Sequence, residues 1–297
     1  MDYRGLAALD AVIEQGSFER AAAALSISQP AVSHRLRALE EAAGELLVIR
    51  SQPPQATGRG HRLIAHYRQV RLLEAGLDSA ASNVGALPRI AIAVNADSAA
   101  TWLLEALAPV LAAPSCHVEI IIDDQDQTLR QLREGRVVGC VTSSAEAVAG
   151  TSITPLGAMA YRCVAAPAFV QRWFPHGPAP EAMSAAPALV YNRSDNLHAR
   201  YLRGAGFNDE VPHHFFPSSE GFVAFIKAGY GYGMAPLIQV HAELDSGELL
   251  ELLPGSELQV PLYWHRWNIQ TPLTSALNDA IVGTAQKWLG GHAGIGP

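Results

Sequence analysis

The sequence lacks the features that mark several large classes of protein. Its 297 residues include three cysteines with no Cys-x-x-Cys or metal-ligand spacing, which argues against a disulfide scaffold or a zinc finger and fits a reducing compartment. No apolar run approaches the roughly 18 residues that a membrane-spanning helix needs. The N-terminus has neither the basic nor the apolar region of a secretory signal. We therefore expect a soluble cytoplasmic protein that does not enter a membrane.

Catalytic and metal-binding patterns are also missing. There is no Gly-x-Ser-x-Gly motif and no paired-carboxylate pattern, and the glycine-rich stretch 229–233 follows a predicted helix, which is the reverse of a phosphate-binding loop. His213 and His214 have no spaced third ligand. The sequence thus predicts no enzyme, no cofactor and no metal site. The three cysteines are predicted to be small core residues, with a redox-sensing pair as the alternative.

Charge is distributed unevenly along the chain. The net charge of −7 lies entirely in residues 89–297, because residues 1–88 contain nine arginines and nine acids. Within residues 29–71, seven arginines stand against three glutamates. This local positive excess predicts a surface that contacts phosphate groups, and the acidic remainder predicts a different role for the rest of the chain.

Residues 1–58 carry the pattern of a winged helix-turn-helix domain. Gly16 ends a first helix, Ser17 caps a second, and Ser28 caps a third with Pro30 in its first turn. The third helix has one apolar stripe and one polar face, an arrangement that can read the major groove of DNA. Periodicity alone leaves a small helical bundle as an equal alternative. The predicted DNA-binding residues are Ser17, Ser28, Gln29, Pro30, Ala31, Ser33, His34, Arg37 and Arg50.

A wing and a long helix are predicted next. A strand over residues 46–50 and a turn at Pro53-Pro54 would place Arg50 against the DNA backbone. Thr57 then caps a helix that runs to about Asn83 and supplies the linker over residues 59–87. A coiled-coil-like seam along it predicts dimerisation, with packing onto its own domain as the alternative. The seam consists of Leu63, Tyr67, Val70, Leu73 and Leu77.

From residue 88 the pattern changes to alternating strands and helices, which predicts a mainly parallel sheet covered by helices. The predicted strands cover residues 89–94, 118–122, 137–141, 160–166, 188–191, 230–234 and 263–267. The predicted helices cover residues 98–111, 126–135, 220–229, 236–246 and 274–289. We divide this α/β domain, residues 88–297, into lobe I (88–161 and 268–297) and lobe II (162–267).

Residues in the first 40 positions resemble the signature of LysR-type transcriptional regulators. The matching residues are Gly16-Ser17-Phe18, Ala21-Ala22, Leu25, the run from Ser28 to Ser33, and Leu39-Glu40. The order of winged domain, linker helix and two-lobed α/β domain matches as well, so the resemblance covers essentially the whole chain. Segments such as 94–98, 218–220 and 262–266 are similar to the lysine- and arginine-responsive ArgP subgroup. His34 departs from that subgroup, whose pattern has glutamine before the basic residue.

The resemblance implies a regulator that binds a double-stranded DNA operator and senses L-lysine or L-arginine. It further implies control of an amino acid exporter or related genes, homodimers and homotetramers, a nucleoid-associated location and RNA polymerase as a candidate partner. Ligand that closes the lobes about chain crossings near residues 161–163 and 265–268 would change the spacing of the DNA-binding domains. A regulator with another effector and a nucleoid or replication-control protein are the alternatives. An enzyme with an added DNA-binding domain would need a catalytic set, which the α/β part lacks.

LysR-type effector domains resemble periplasmic binding proteins, which hold ligand between two lobes at the ends of strands. The first strand leads into Asn95, Asp97 and Ser98, and the third leads into Thr142 and Ser143, so backbone N–H groups and hydroxyls there are candidates for holding an α-carboxylate. A basic side chain needs acids that face it, and the candidates are Asp123, Asp124, Asp126, Asp195 and Glu220. Asp124 and Asp195 are the preferred candidates, and Asp126 is expected to cap a helix instead. Ser219, in a segment similar to the subgroup, completes the predicted site.

Overall fold

Helices and a short hairpin build the N-terminal domain of the computed structural model, which describes residues 1–78, 89–113, 116–123, 125–207 and 210–290. Its elements are α1 (Tyr3–Gln15), α2 (Phe18–Ala24), α3 (Gln29–Ala43), β1 (Val48–Ile49), β2 (Gln55–Ala56) and α4 (Gly58–Asp78). Ser17 and Ser28 cap α2 and α3 as predicted, because their Oγ atoms accept hydrogen bonds from the backbone N–H groups of Glu19 at 3.2 Å and Ala31 at 3.4 Å. Gly16 adopts a left-handed conformation, with φ of 60°, and ends α1.

The apolar side of α3 forms part of the core of this domain. Val32, Leu36 and Leu39 are buried, as their spacing predicts. Leu36 and Leu39 share one cluster with Leu6 of α1 and Ile64 of α4. Since Ile64 lies on the linker helix, the first half of α4 is a structural part of the N-terminal domain.

The predicted seam along α4 divides in the structure. Leu63 and Tyr67 pack against the core of the N-terminal domain, whereas Leu73 is 45% exposed. The first half of α4 therefore packs onto its own domain, which was the alternative to dimerisation. The predicted continuation of the helix to Asn83 lies outside the described residues.

A parallel β-α-β arrangement begins the second domain. Its elements are β3 (Arg89–Val94), α5 (Ala96–Ala100), α6 (Leu103–Ala112), β4 (His117–Ile122), α7 (Gln125–Arg133) and β5 (Gly139–Thr142). Strand β3 pairs in parallel with both β4 and β5, as the alternating pattern predicts. The single helix predicted over residues 98–111 is wrong, because Thr101 leaves helical geometry with ψ of −85° between α5 and α6. Trp102, which follows it, is fully buried.

The middle of the chain forms the second lobe. Its elements are β6 (Thr151–Ala165), α8 (Pro167–Trp173), α9 (Pro180–Ala185), β7 (Ala188–Val190), α10 (Leu197–Gly204), β8 (His213–Phe215), α11 (Ser219–Lys227), β9 (Tyr232–Pro236), α12 (Leu237–Ser246) and β10 (Leu250–Glu251). Helices α8, α9 and α10 were absent from the predicted pattern. They have six to eight residues, which is too short for helical periodicity to show in a sequence.

Two long strands join the lobes into one sheet. After β11 (Glu257–Trp267), α13 (Pro272–Leu289) returns to the first lobe. The strand order is β4-β3-β5-β11-β6-β9-β7-β8, and β10 pairs with β6. Lobe I thus contains β3 to β5, α5 to α7 and α13, lobe II contains α8 to α12 and β7 to β10, and both share β6 and β11.

The antiparallel pairing of β6 with β11 sets where the chain crosses between the lobes. Residues Glu257–Leu262 pair with Gly157–Arg162, and residues Tyr263–Trp267 pair with Thr151–Pro155. Tyr263 to Arg266 also pair with β5 of lobe I. The second crossing therefore lies before Tyr263 rather than at the predicted residues 265–268, because the return strand begins earlier than its hydrophobic pattern indicated.

All three cysteines are free and buried. Burial raises the pKa of the Cys140 thiol to about 12 and also raises the pKa of Cys163, so the reactive thiolate form is disfavoured at both. This environment fits the interpretation of the cysteines as core residues. No helix in the described part of the chain combines the length and apolar character needed to cross a membrane.

Gly157 sits where β6 passes beneath the end of α13. Its φ is +117°, and a Cβ added there would stand 2.4 Å from the backbone oxygen of Leu289. We expect Gly157→Ala to lower the free energy of unfolding by more than about 2 kcal/mol, because it adds both backbone strain and a steric clash. Urea unfolding followed by circular dichroism measures the change.

Gly283 provides the matched control. It lies inside α13, and a Cβ there would meet nothing within 4 Å. Gly283→Ala should therefore raise stability by about 0.5–1 kcal/mol, since alanine loses less backbone entropy in a helix. Equal effects of the two substitutions would contradict the role assigned to Gly157.

Candidate DNA-binding surface and effector cavity

The outer face of α3 presents polar side chains next to the hairpin. Gln29, His34 and Arg37 are exposed, while Val32 and Leu36 on the other side of the helix are buried. The Nε2 of Gln29 donates to Ser33 Oγ at 3.4 Å, so these two side chains are partly ordered before any contact with DNA. Pro30 is exposed and Ala31 is half-buried in the first turn, where proline is compatible with a helix start.

Most of the predicted DNA-binding residues thus share one surface, but two serines have a structural task. Ser17 and Ser28 use their hydroxyls to cap helices, which fixes where α2 and α3 begin. Their contribution to a DNA interface would come through this positioning.

The hairpin formed by β1 and β2 is attached to α3. Glu40 Oε1 accepts hydrogen bonds from the backbone N–H groups of Leu47 at 2.9 Å and Val48 at 3.3 Å. Arg50 is exposed directly after β1. The wing therefore holds Arg50 in a fixed relation to the recognition face of α3.

Counting charges along the sequence overestimated the basic surface. Arg68 is directed inward, and its Nε lies 2.7 Å from Asp10 Oδ1. Arg59 forms an exposed ion pair with Glu45 at 3.7 Å, which screens part of its charge.

A cavity of about 550 Å³ lies between the two lobes of the effector domain. Six of the candidate effector residues line it: Asn95, Asp97, Asp123, Ser143, Asp195 and Ser219. The first four follow strands of lobe I. Asp195 precedes α10 and Ser219 begins α11, both in lobe II. The strand-end rule for open α/β sheets accounts for this convergence.

Asp97 is the centre of the polar network in the cavity. Its Oδ2 accepts a hydrogen bond from the Tyr161 hydroxyl at 2.6 Å, and its Oδ1 accepts one from the Ser219 hydroxyl at 2.7 Å. Burial raises the pKa of Asp97 above its ordinary value, and these two hydrogen bonds oppose the shift. Both partners are neutral, so this half-buried carboxylate has no cation beside it among the described residues.

Other acceptors face the same space. Asn95 is buried, and its Oδ1 has no hydrogen-bond partner among the residues that the structure describes. Asp195 accepts hydrogen bonds from the backbone N–H groups of Leu197 at 2.8 Å and Tyr191 at 3.2 Å, which fix its carboxylate at the cavity wall. Asp97 and Asp195 lie close enough that the charge of Asp195 contributes to the raised pKa of Asp97.

The charged lining of the described cavity is mainly acidic. Asp97, Asp123 and Asp195 contribute carboxylates, and Arg200 is the one basic residue among the described lining residues. A cation is therefore the complementary ligand charge, and Arg200 is available for a carboxylate on the same ligand.

The structure places three predicted effector residues outside the cavity lining. Ser98 and Thr142 are fully buried and do not line the cavity. Glu220 is exposed in the first turn of α11. Asp124 lies outside the described residues.

Sequence reasoning missed several lining residues. Tyr161 lies at the predicted crossing between the lobes, and Asn192 and Ser194 follow the same strand as Asp195, so position alone could have identified them. Arg200 and Gln239 lie on helices, and no pattern in the sequence indicated them.

Comparison with known proteins finds a match for each of the two domains. Residues 3–61 match the model of the bacterial regulatory helix-turn-helix protein family, lysR family, and residues 85–286 match the LysR substrate binding domain. The HTH-type transcriptional regulator ArgP of Pseudomonas fluorescens is 43% identical over 291 residues, which cover 97% of this chain and 98% of that protein.

Solved structures show the same relationship. The crystal structure of ArgP from Mycobacterium tuberculosis has a TM-score of 0.87 at 37% identity and covers 96% of this chain and 97% of its own. Full-length LysG from Corynebacterium glutamicum with the bound effector Arg has a TM-score of 0.79 at 34% identity and covers 97% of this chain and 99% of its own. The chain belongs to the LysR family of DNA-binding transcriptional regulators.

Proposed function

We propose that this regulator senses a basic amino acid, L-arginine or L-lysine, in the cavity between its lobes and thereby controls an amino acid exporter or related genes. It would act as a homodimer or homotetramer on double-stranded operator DNA in the cytoplasm. The single observation that carries the proposal is the half-buried carboxylate of Asp97, which lines the cavity without a cationic partner among the described residues.

The chemistry of the cavity favours a ligand with a positive charge and several N–H donors. Asn95 Oδ1 is an acceptor without a partner among the described residues, and Asp97 and Asp195 supply carboxylate oxygens. A guanidinium group presents five N–H donors in one plane, and an ammonium group presents three. Arg200 would receive the α-carboxylate of the same molecule.

The ligand orientation differs from the one predicted from the sequence. Asn95 and Asp97 were assigned to the α-carboxylate, but a second carboxylate beside Asp97 would be repelled. We therefore assign these two residues to an ammonium or guanidinium group. The arginine bound in LysG supports a basic amino acid as the ligand class.

Operator binding would use the α3 face together with the wing. Gln29 and Arg37 would contact base edges, because glutamine can pair with adenine and arginine with guanine. His34 and Ser33 lie on the same face for base or phosphate contacts, and Arg50 would contact the backbone.

Replacing Asp97 tests the effector site. Asp97→Asn should weaken arginine binding by about tenfold or more, since a charge-assisted hydrogen bond to the ligand cation is lost. The same change should raise the thermal stability of the ligand-free protein, because it removes a carboxylate whose charged form is penalised by desolvation. Isothermal titration calorimetry and thermal unfolding, with lysine, glutamate and phenylalanine as comparison ligands, measure both effects.

Glu220→Gln is the matched control, since Glu220 is an exposed acid near Ser219 that does not line the cavity. It should leave arginine affinity unchanged. Wild-type arginine affinity in Asp97→Asn would refute the proposed site, and a protein that binds glutamate in preference to arginine would refute the ligand class.

The raised pKa of Asp97 predicts a pH dependence. Arginine binding needs the ionised carboxylate, so affinity should rise with pH between the ordinary pKa of an aspartate and the raised value. The stability of the ligand-free protein should change with pH in the opposite direction. Its folded state holds the proton more tightly than the unfolded state, so the stability that protonated Asp97 contributes is lost as the pH rises through that range. Titration calorimetry at several pH values should find this dependence in the wild type and lose it in Asp97→Asn.

The DNA-binding surface is tested by salt dependence. For Arg50→Met we expect weaker binding to all duplexes and a plot of log affinity against log salt that is shallower by about 0.9, the value for one lost phosphate contact. Arg37→Met should instead reduce discrimination between a selected operator and random DNA by about 1–3 kcal/mol.

Fluorescence anisotropy with a duplex selected by the wild-type protein from a random pool measures both quantities. Arg172→Met, an exposed arginine of α8 in lobe II, is the control and should change neither. If the variants at Arg37 and Arg50 bound the selected duplex like the wild type, the assignment of this surface would be wrong.

A further inference from the structure

One face of the linker helix α4 contacts lobe I of the same chain. The contacting residues Ala65, Arg68, Leu72 and Gly76 recur at spacings of three, four and four, so they share one side of the helix. Leu72 packs against the main core of the effector domain. A Cβ at Gly76 would lie 3.0 Å from the side chain of Thr271, at the start of α13.

The closest approach occurs where α7 ends. Gly135 has φ of +70°, and a Cβ there would lie 2.4 Å from the Cα of Ala65. The turn after α7 therefore presses its backbone directly against the linker helix. A glycine satisfies both requirements at this position, the left-handed conformation and the close contact.

Arg68 connects three elements at this contact. Its Nε donates to Asp10 Oδ1 of α1 at 2.7 Å, and its Nη1 donates to the backbone oxygen of Gly135 at 3.2 Å. The side chains of Arg68 and Asp10 are 28% and 10% exposed. One guanidinium group thus links the DNA-binding domain, the linker helix and lobe I.

Helix α7 connects this contact to the effector cavity. Asp123 lines the cavity, and its Oδ2 accepts a hydrogen bond from Gln131 Nε2 of α7 at 3.0 Å. The helix ends at Arg133, and Gly135 follows in the turn that contacts Arg68. A movement of Asp123 can therefore reach the DNA-binding domain through one nine-residue helix.

We propose that Arg68 is the positioning residue that couples effector binding to DNA binding, by fastening the DNA-binding domain to the turn that follows α7. This inference rests on the proposed function and adds to it the residue through which the signal passes. Ligand contacts at the cavity wall would move α7, and the turn at Gly135 would transmit the movement through Arg68 to α1.

A purely structural ion pair is the competing explanation. Buried ion pairs contribute little net stability compared with apolar residues, so stability alone gives weak reason for this arrangement. A coupling role makes a separate prediction, because it requires that DNA and ligand affinities stop depending on one another when the contact is removed.

The test compares Arg68→Met and the double variant Arg68→Met/Asp10→Asn with the wild-type full-length protein. In the double variant Asp10 is no longer a carboxylate, so no buried negative charge is left without a partner and the protein should still fold. Arg68→Lys keeps a cation beside Asp10 but cannot place a guanidinium fork between Asp10 and Gly135. Arg89→Met removes an exposed ion pair with Glu119 in lobe I and serves as the matched control.

The first measurement uses no ligand. Hydrogen–deuterium exchange of the peptide spanning residues 130–138 should be faster in both Arg68→Met variants and unchanged in Arg89→Met, because the turn after α7 loses its contact with α4. Unchanged exchange in the double variant would overturn the proposal.

The second measurement is the ratio of DNA Kd values, for the duplex selected by the wild-type protein, without and with saturating L-arginine. In the double variant this ratio should fall to within about twofold of one, and arginine affinity in the absence of DNA should be retained. In Arg68→Lys the ratio should lie between the values of the double variant and the wild-type protein. A wild-type ratio in the double variant would overturn the coupling role. A ratio of one in the wild-type protein would instead refute the proposed function, and the exchange experiment would still decide whether Arg68 fastens the two domains.

Discussion

The antiparallel pairing of β6 with β11 is the constraint on which the effector domain depends. These strands are hydrogen bonded to each other along nearly their whole length and to strands of both lobes at their ends. The lobes are therefore parts of one sheet, and the cleft between them has a floor that neither lobe could form alone. Tyr161 extends from this floor to Asp97, so the same pairing that joins the lobes also places a hydrogen-bond donor at the centre of the cavity.

The polar network around Asp97 depends on both sides of that floor. Asp97 follows the first strand of lobe I, Ser219 begins α11 of lobe II, and their hydrogen bond spans the cleft. A group that binds at Asp97 would therefore lie beside residues of both lobes. This arrangement gives a small ligand a means to affect the relative position of the lobes, since its contacts differ between an open and a closed cleft.

Local chemistry explains which features the sequence could predict. The caps at Ser17 and Ser28, the left-handed Gly16 and the buried stripe of α3 depend on residues within one turn of each other, and all were predicted. Strand β3 and the residues that follow it were predicted because a buried parallel strand is nearly continuous in apolar residues. The inward orientation of Arg68 could not be predicted, because its partners Asp10 and Gly135 are 58 and 67 residues away in the sequence. The same holds for Arg200 and Gln239, whose place in the cavity is set by packing between helices and sheet.

The uneven charge distribution affects how this protein approaches DNA. Negative charge is concentrated in residues 89–297, while the recognition face of α3 and the wing carry exposed arginines. Residues 1–88 have no net charge, whereas the rest of the chain carries −7, so the phosphates of a duplex would repel the effector domain more than the N-terminal domain. This repulsion would favour encounters in which the N-terminal domain meets the duplex first.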